Sequence, residues 1–262
     1  MNFETILFDI KNNVAKIALN RPDANNSIDL QLSKDLMYVA MHCTENPDVR
    51  AVIITGVGNT FCPGGDVKSF ANAGKDLPYL LRDITTHLHA AVSRLARLDA
   101  PLIVAVNGTA AGAGMALACS GDIVLASESA RFTAAYTRIG LSPDGGLSYY
   151  LPRIVGLKQA IELTLTNRLL TAKEALELGI VTKIVPDKEL MEQAEAIAVQ
   201  LASGATKALG TAKRLLHRSW TETLETQLEN ESQALSAMAH TLDAQEAIKA
   251  FVEKRAPKLQ GK

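Results

Sequence analysis

The chain has 262 residues, of which 47% are hydrophobic and 21% charged, with a formal net charge of -1. That balance excludes a disordered, highly charged chain, and it supplies no overall cationic field for nucleic acid or an anionic membrane surface. The length suits one large domain whose core needs no disulfide or metal to hold it.

Three cysteines, Cys43, Cys62 and Cys119, lie far apart and lack CxxC spacing. Neither a zinc site nor a disulfide framework is expected, which fits a reducing compartment. The opening MNFETILFDIKNN has acidic residues and no long apolar run. A signal peptide or membrane anchor is therefore not expected, and a cytoplasmic location is.

In chain order, 3–9 and 14–20 read as a strand pair turning at Lys11-Asn12-Asn13. Residues 29–45 read as a helix starting after Asp29. The β-branched run Val49–Thr55 predicts a buried strand, and the loop GVGNTFCPGGD (56–66) follows it. Residues 80–98 have helical spacing. Leu102–Val106 is a second buried strand, which leads through the loop Asn107-Gly108 into a small-residue helix near 112–120. Asp122–Ala126 is a third strand. Strands alternating with helices predict a parallel sheet with crossover connections. After the strand 181–185 the pattern is helical: 187–202, 205–218, 221–239 and 242–254. The expected organisation is a core over 1–200 and a C-terminal helical region over 201–262 that covers the core or a partner subunit, the two forming one unit.

Three segments carry possible chemistry. FCPGGDVK (61–68) leaves a buried strand with adjacent glycines, which either make a tight turn or free backbone N–H groups for a ligand. NGTAAGAGM (107–115) leaves another strand and enters a helix. Its small residues suit close helix packing or an oxyanion. The glycines at 108, 112 and 114 do not have GxGxxG spacing, and no GxxxxGK[ST] loop exists. In YTRIGLSPDGG (136–146), Asp144 precedes a helix, and its simplest role is an N-cap. Taken together, two loops of free N–H groups and one carboxylate can stabilise a thioester enolate and move a proton.

FCPGGDVK resembles the signature of the enoyl-CoA hydratase/isomerase (crotonase) family, and VNGTAAGAGMALACSGDIVLASESARF resembles its second signature. LNRPDANNSID and FVEKRAPKLQGK are also similar to family segments, so the resemblance runs along the whole chain. It implies an α/β fold of the crotonase type: a β-β-α superhelical core with C-terminal helices that assemble trimers or dimers of trimers. It implies an acyl-CoA substrate, with coenzyme A as part of that substrate, no prosthetic group and no metal. The oxyanion donors would be the N–H groups of Gly65 and Ala113. Gly65, Asp66, Val67 and Lys68 would line the coenzyme site. Arg21 and Ala24 would lie near its phosphates and adenine, and Phe251 and Lys254 would reach the coenzyme of a neighbouring subunit.

Hydratases of the family use two glutamates, and the matching positions here are Ala116 and Tyr136. Asp144 matches the single carboxylate of enoyl-CoA isomerases, including those of the phenylacetate pathway. GLSPDGGLSYYLPRIVGLKQAIELTLTNRLL also resembles 4-chlorobenzoyl-CoA dehalogenase. There an aspartate, an aromatic residue and a histidine match Asp144, Tyr136 and His89, while the aromatic residues boxing the ring fall at Gly65, Leu81 and Leu88. The expectation is therefore an isomerase working through Asp144. The alternatives are a hydratase, a dehalogenase-like hydrolase, or an inactive acyl-CoA-binding protein. Phe70, Tyr79 and Leu81 are candidate walls of the acyl pocket.

Overall fold

The computed structural model describes residues 3–262. Strands β1 (Ile6–Lys11) and β2 (Val14–Leu19) form an antiparallel hairpin with Lys11 opposite Val14. Asn12 and Asn13 make its turn at φ 53° and 62°, a conformation asparagine tolerates. β1 begins three residues later than the alternation suggests. Helix α1 (Leu30–Glu45) starts where expected, because the Asp29 carboxylate accepts the Leu32 N–H at 2.8 Å.

The chain continues through β3 (Ala51–Gly56), α2 (Val67–Ala73), α3 (Leu77–Arg97) and β4 (Leu102–Val106). Next come β5 (Thr109–Ala111), α4 (Ala113–Cys119), β6 (Ile123–Ser127) and β7 (Arg131–Thr133). The pair α5 (Leu147–Val155) and α6 (Leu157–Thr166) precedes β8 (Leu170–Thr171), α7 (Ala172–Glu177) and β9 (Lys183–Val185). Four helices finish the chain: α8 (Leu190–Ala202), α9 (Thr206–Arg218), α10 (Leu224–Ala239) and α11 (Leu242–Val252).

The main sheet has the order β1-β2-β3-β4-β6-β9 and is parallel beyond the hairpin. Its two faces alternate along each strand. Val52, Ile54, Leu102, Val104 and Val124 face the larger core with α1 and α3, and Ala51, Ile53, Ile103, Ala105 and Leu125 face α8. Burial on both faces explains why these strands read as continuous apolar runs.

A second layer positions the chemistry. β5, β7 and β8 form a small sheet, and single bridges join Cys62 to Ala110 and Ile28 to Gly65. Each central strand thus passes into a short second strand before its helix: β3 into 62–65, β4 into β5, and β6 into β7. This β-β-α repetition is the crotonase fold. Residues 109–111, expected as a loop, are a strand here, because their backbone groups pair with 62 and with β7. Gly114 lets α4 pack directly on the Cys62 carbonyl, from which an added Cβ would lie only 2.0 Å away.

α10 contains no buried residue, and Leu224, Leu228 and Leu235 stand 68%, 55% and 75% exposed. All three cysteines are buried and free. Among the described residues no helix is long and apolar enough to cross a membrane.

Candidate active site

The two glycine-rich segments meet edge to edge. Cys62 donates its N–H to Thr109 O and accepts from Ala111 N–H, both at 2.9 Å. On the other edge Ile28 N–H donates to Gly64 O at 2.8 Å. Gly64 and Gly112 have φ of 103° and 53°, where a side chain is strained, and a Cβ on Gly112 would lie 3.5 Å from the Gly64 Cα. These turns leave the next N–H in each segment unused: among the described residues, neither Gly65 nor Ala113 donates to any backbone or side-chain acceptor. Two unpaired donors at the ends of adjoining strands suit a developing oxyanion.

Gly65 and Ala113 line one cavity of ≈ 470 Å³. Phe70, Leu81, Ile84, Leu88, Ile139 and Leu141 give it an apolar wall, and Asp144 is the one carboxylate among its lining residues. Of the three candidate wall residues, Phe70 and Leu81 line this cavity. Tyr79 does not; it is 75% exposed and points away from the core. Arg82 and Arg138 also line the cavity, on exposed positions. Sequence reasoning missed both, because nothing in a helix or a short loop marks an arginine as facing a ligand.

The Asp144 carboxylate does not cap α5. Gly146 occupies the N-cap position and no side chain caps the helix. Gly145 and Gly146, at φ 59° and 86°, turn the chain so that Asp144 faces Tyr136 instead. The Tyr136 hydroxyl donates to Asp144 Oδ1 at 2.6 Å. Ala135, held at φ 59°, turns the chain sharply just before Tyr136. Burial raises the Asp144 carboxyl above its ordinary value, although the Tyr136 hydrogen bond and, more weakly, the nearby His89 pull the other way. Burial and the neighbouring Asp144 charge push the Tyr136 phenol up, so it remains a neutral donor.

His89, on α3, is exposed and accepts the Gly145 N–H on Nε2 at 3.1 Å. It therefore braces the backbone beside Asp144. Ala116 is fully buried under the same turn, where a Cβ on Gly145 would come within 3.0 Å of its methyl group. Neither position matched to a hydratase glutamate carries a carboxylate.

Around the mouth, Arg21 pairs with Asp29 and Asp66, each at 3.0 Å. Asp66 also caps α2 through the Ser69 N–H at 3.2 Å. Burial alone would raise the Asp66 carboxyl, but the Ser69 N–H and Arg21 together hold it below the usual carboxylate range. Ala24 ends a single 3-10 turn beside Arg21, while Val67 and Lys68 are exposed at the start of α2. Arg21 thus ties the 21–29 segment to Asp66, which adjoins Gly65, Val67 and Lys68. Phe251 and Lys254 are not brought there within one chain. Phe251 is 85% exposed at the end of α11, and Lys254 follows it on the surface. Among the described residues no cluster of His, Cys, Asp and Glu is arranged to hold a metal ion.

The enoyl-CoA hydratase/isomerase family model matches residues 9–262. The 1,2-epoxyphenylacetyl-CoA isomerase of Escherichia coli is 35% identical over 260 residues, 99% of either chain. The 4-chlorobenzoyl coenzyme A dehalogenase-2 of an Arthrobacter species is 32% identical over 225 residues, 86% of this chain and 82% of the other. A crystal structure of enoyl-CoA hydratase from Bacillus anthracis superposes with a TM-score of 0.93 at 34% identity, covering 99% of this chain and 100% of that one. By the family match over residues 9–262 and by these relatives of different printed activities, the chain belongs to the enoyl-CoA hydratase/isomerase family.

Proposed function

We propose that the protein moves the double bond of a 3-enoyl-CoA to position 2, with Asp144 as the only proton carrier. The observation that carries this is the single carboxylate lining the cavity that holds both free N–H groups. The thioester oxygen accepts from Gly65 and Ala113. Ionised Asp144 takes a proton from C2, and the resulting dienolate charge rests on that oxygen. Each well-placed donor is worth about 3 kcal/mol to such a state. Protonated Asp144 then returns the proton to C4, leaving the double bond between C2 and C3. One proton leaves and one returns, so no water or other reactant is consumed. The raised carboxyl makes Asp144 a stronger base than an ordinary aspartate, and the Tyr136 hydroxyl steadies it between the two positions.

Coenzyme A enters as part of the substrate, and the steps call on no prosthetic group. Gly65, Asp66, Val67, Lys68, Arg21 and Ala24 would form its near side. Phe251 and Lys254 would meet it from a neighbouring subunit, in a trimer or dimer of trimers built on the C-terminal helices. The exposed leucines of α10 support that assembly.

The test is a spectrophotometric double-bond shift assay with 3-enoyl-CoA substrates. Asp144→Asn should abolish the shift, and wild-type activity in that variant would refute the mechanism. Hydration of crotonyl-CoA without any shift would mark a hydratase instead, and release of halide from 4-halobenzoyl-CoA would mark a dehalogenase.

A further inference from the structure

Behind Asp144 lies a second cavity, of ≈ 750 Å³, and Asp144 lines both. Helix α3 runs along the two in succession. Leu81, Ile84 and Leu88 face the first cavity; His89, Val92, Ala96 and Arg97 face the second. At 1.5 Å per residue, Arg97 lies about 12 Å along the helix axis from His89. Val92 and Ala96 form a short apolar strip between them.

Beyond that strip the lining is cationic. Arg97 on α3 and Arg218 on α9 both line the cavity, and neither side chain makes a hydrogen bond or ion pair among the described residues. Arg214 also lines it, but that guanidinium is committed to Asp99 and Thr211. The hydroxyls of Tyr149 and Tyr150 are among the remaining polar groups. Arg153 stacks over the Tyr149 ring at 3.7 Å and limits its movement. Apart from Asp144 no carboxylate lines the space.

We propose that this second cavity is a distal acyl subsite, and that the enzyme selects acyl-CoAs whose medium-length aliphatic chain ends in a carboxylate. This rests on the reading that the thioester lies in the first cavity. A chain passing Asp144 meets apolar surface first and free guanidinium groups last, which matches aliphatic carbons followed by an anion. Both guanidinium groups stand on exposed positions, where a methyl terminus gains nothing from them and a carboxylate accepts charge-assisted hydrogen bonds. The length of the strip also keeps the substrate's carboxylate away from the negative charge of Asp144.

The test is calorimetric binding of two saturated, unreactive ligands: dodecanoyl-CoA and the coenzyme A monothioester of dodecanedioic acid. The wild type should bind the carboxylate-ended ligand roughly threefold to tenfold tighter, the worth of two ion pairs at exposed arginines. In the Arg97→Gln/Arg218→Gln variant that ratio should collapse towards one. Equal affinities in the wild type would overturn the proposal and leave the isomerase reading standing. A ratio that survives the double substitution would overturn it as well. So would an equal loss for both ligands, which would assign the arginines to the coenzyme. Failure to bind either ligand would instead defeat the acyl-CoA reading on which the subsite depends.

Discussion

Gly114→Ala should disable the site without unfolding the protein. A Cβ at Gly114 would lie 2.0 Å from the Cys62 carbonyl oxygen and 2.8 Å from its carbon. Ordinary contact begins at 3.4 Å, so the first turn of α4 must retreat by about 1.4 Å, 3.4 minus 2.0. That carbonyl also accepts the Ala111 N–H, and it lies three residues before Gly65, while Ala113 adjoins the new methyl group. The retreat therefore separates the two donors. A misplacement of about 1 Å costs on the order of a hundredfold, and losing one oxyanion donor costs roughly 10²–10³ in kcat. The predicted fall in kcat is in that range. Overpacking costs about 1–3 kcal/mol of stability, which a denaturant melt followed by circular dichroism will measure. Gly156→Ala is the control, because Gly156 has φ 80° but nothing within 4 Å of an added Cβ. It should lose stability and keep kcat. A folded Gly114→Ala enzyme with wild-type kcat would refute the proposed role of the paired strands.

Asp144 must be ionised to act as a base, and its carboxyl is raised by burial. The rate should therefore fall as pH drops through a value above the ordinary 3.8 of an aspartate. Tyr136→Phe removes a hydrogen bond that lowers that value, so the acid limb of kcat/KM should move to higher pH; a limb that stays in place would count against the contact. His89→Ala should lower kcat by less than about tenfold, because His89 is exposed and water can take over the Gly145 N–H. A loss above a hundredfold would instead make His89 a participant in the chemistry. Leu228→Glu with Leu235→Glu should lower the solution mass measured by light scattering to that of a monomer, since like charges then replace the apolar face of α10.

The central sheet was legible because strands buried on both faces carry unbroken runs such as AVIIT and LIVAV. The second layer was not. Thr109–Ala111 and Arg131–Thr133 are too short for a period of two to show, and their partners at 62 and 171 are distant in sequence. The glycines at 64, 65, 112 and 114 announced a site, although only contact between the loops shows that 64 and 112 need their backbone angles while 114 needs its missing side chain. Asp144 was visible as a carboxylate near a helix start, which is why capping was the simplest role for it. The actual partner, Tyr136, lies eight residues earlier, just after a left-handed Ala135, and no local pattern announces that turn. The arginines of both cavities stayed hidden because helical spacing marks apolar faces, not the direction of a cation.

The donors at Gly65 and Ala113 are main-chain atoms. No substitution of a side chain deletes an N–H group, apart from a change to proline, so the two donors persist through mutational drift wherever glycines such as Gly64, Gly112 and Gly114 keep the backbone in place. The groups that differ from a hydratase under the proposed mechanism, by contrast, are side chains: 116 on α4, and 136 and 144 on the single segment 136–146. A lineage built this way can exchange one reaction for another while never losing its grip on the substrate, and shared ancestry among such chains predicts the ligand far better than it predicts the product.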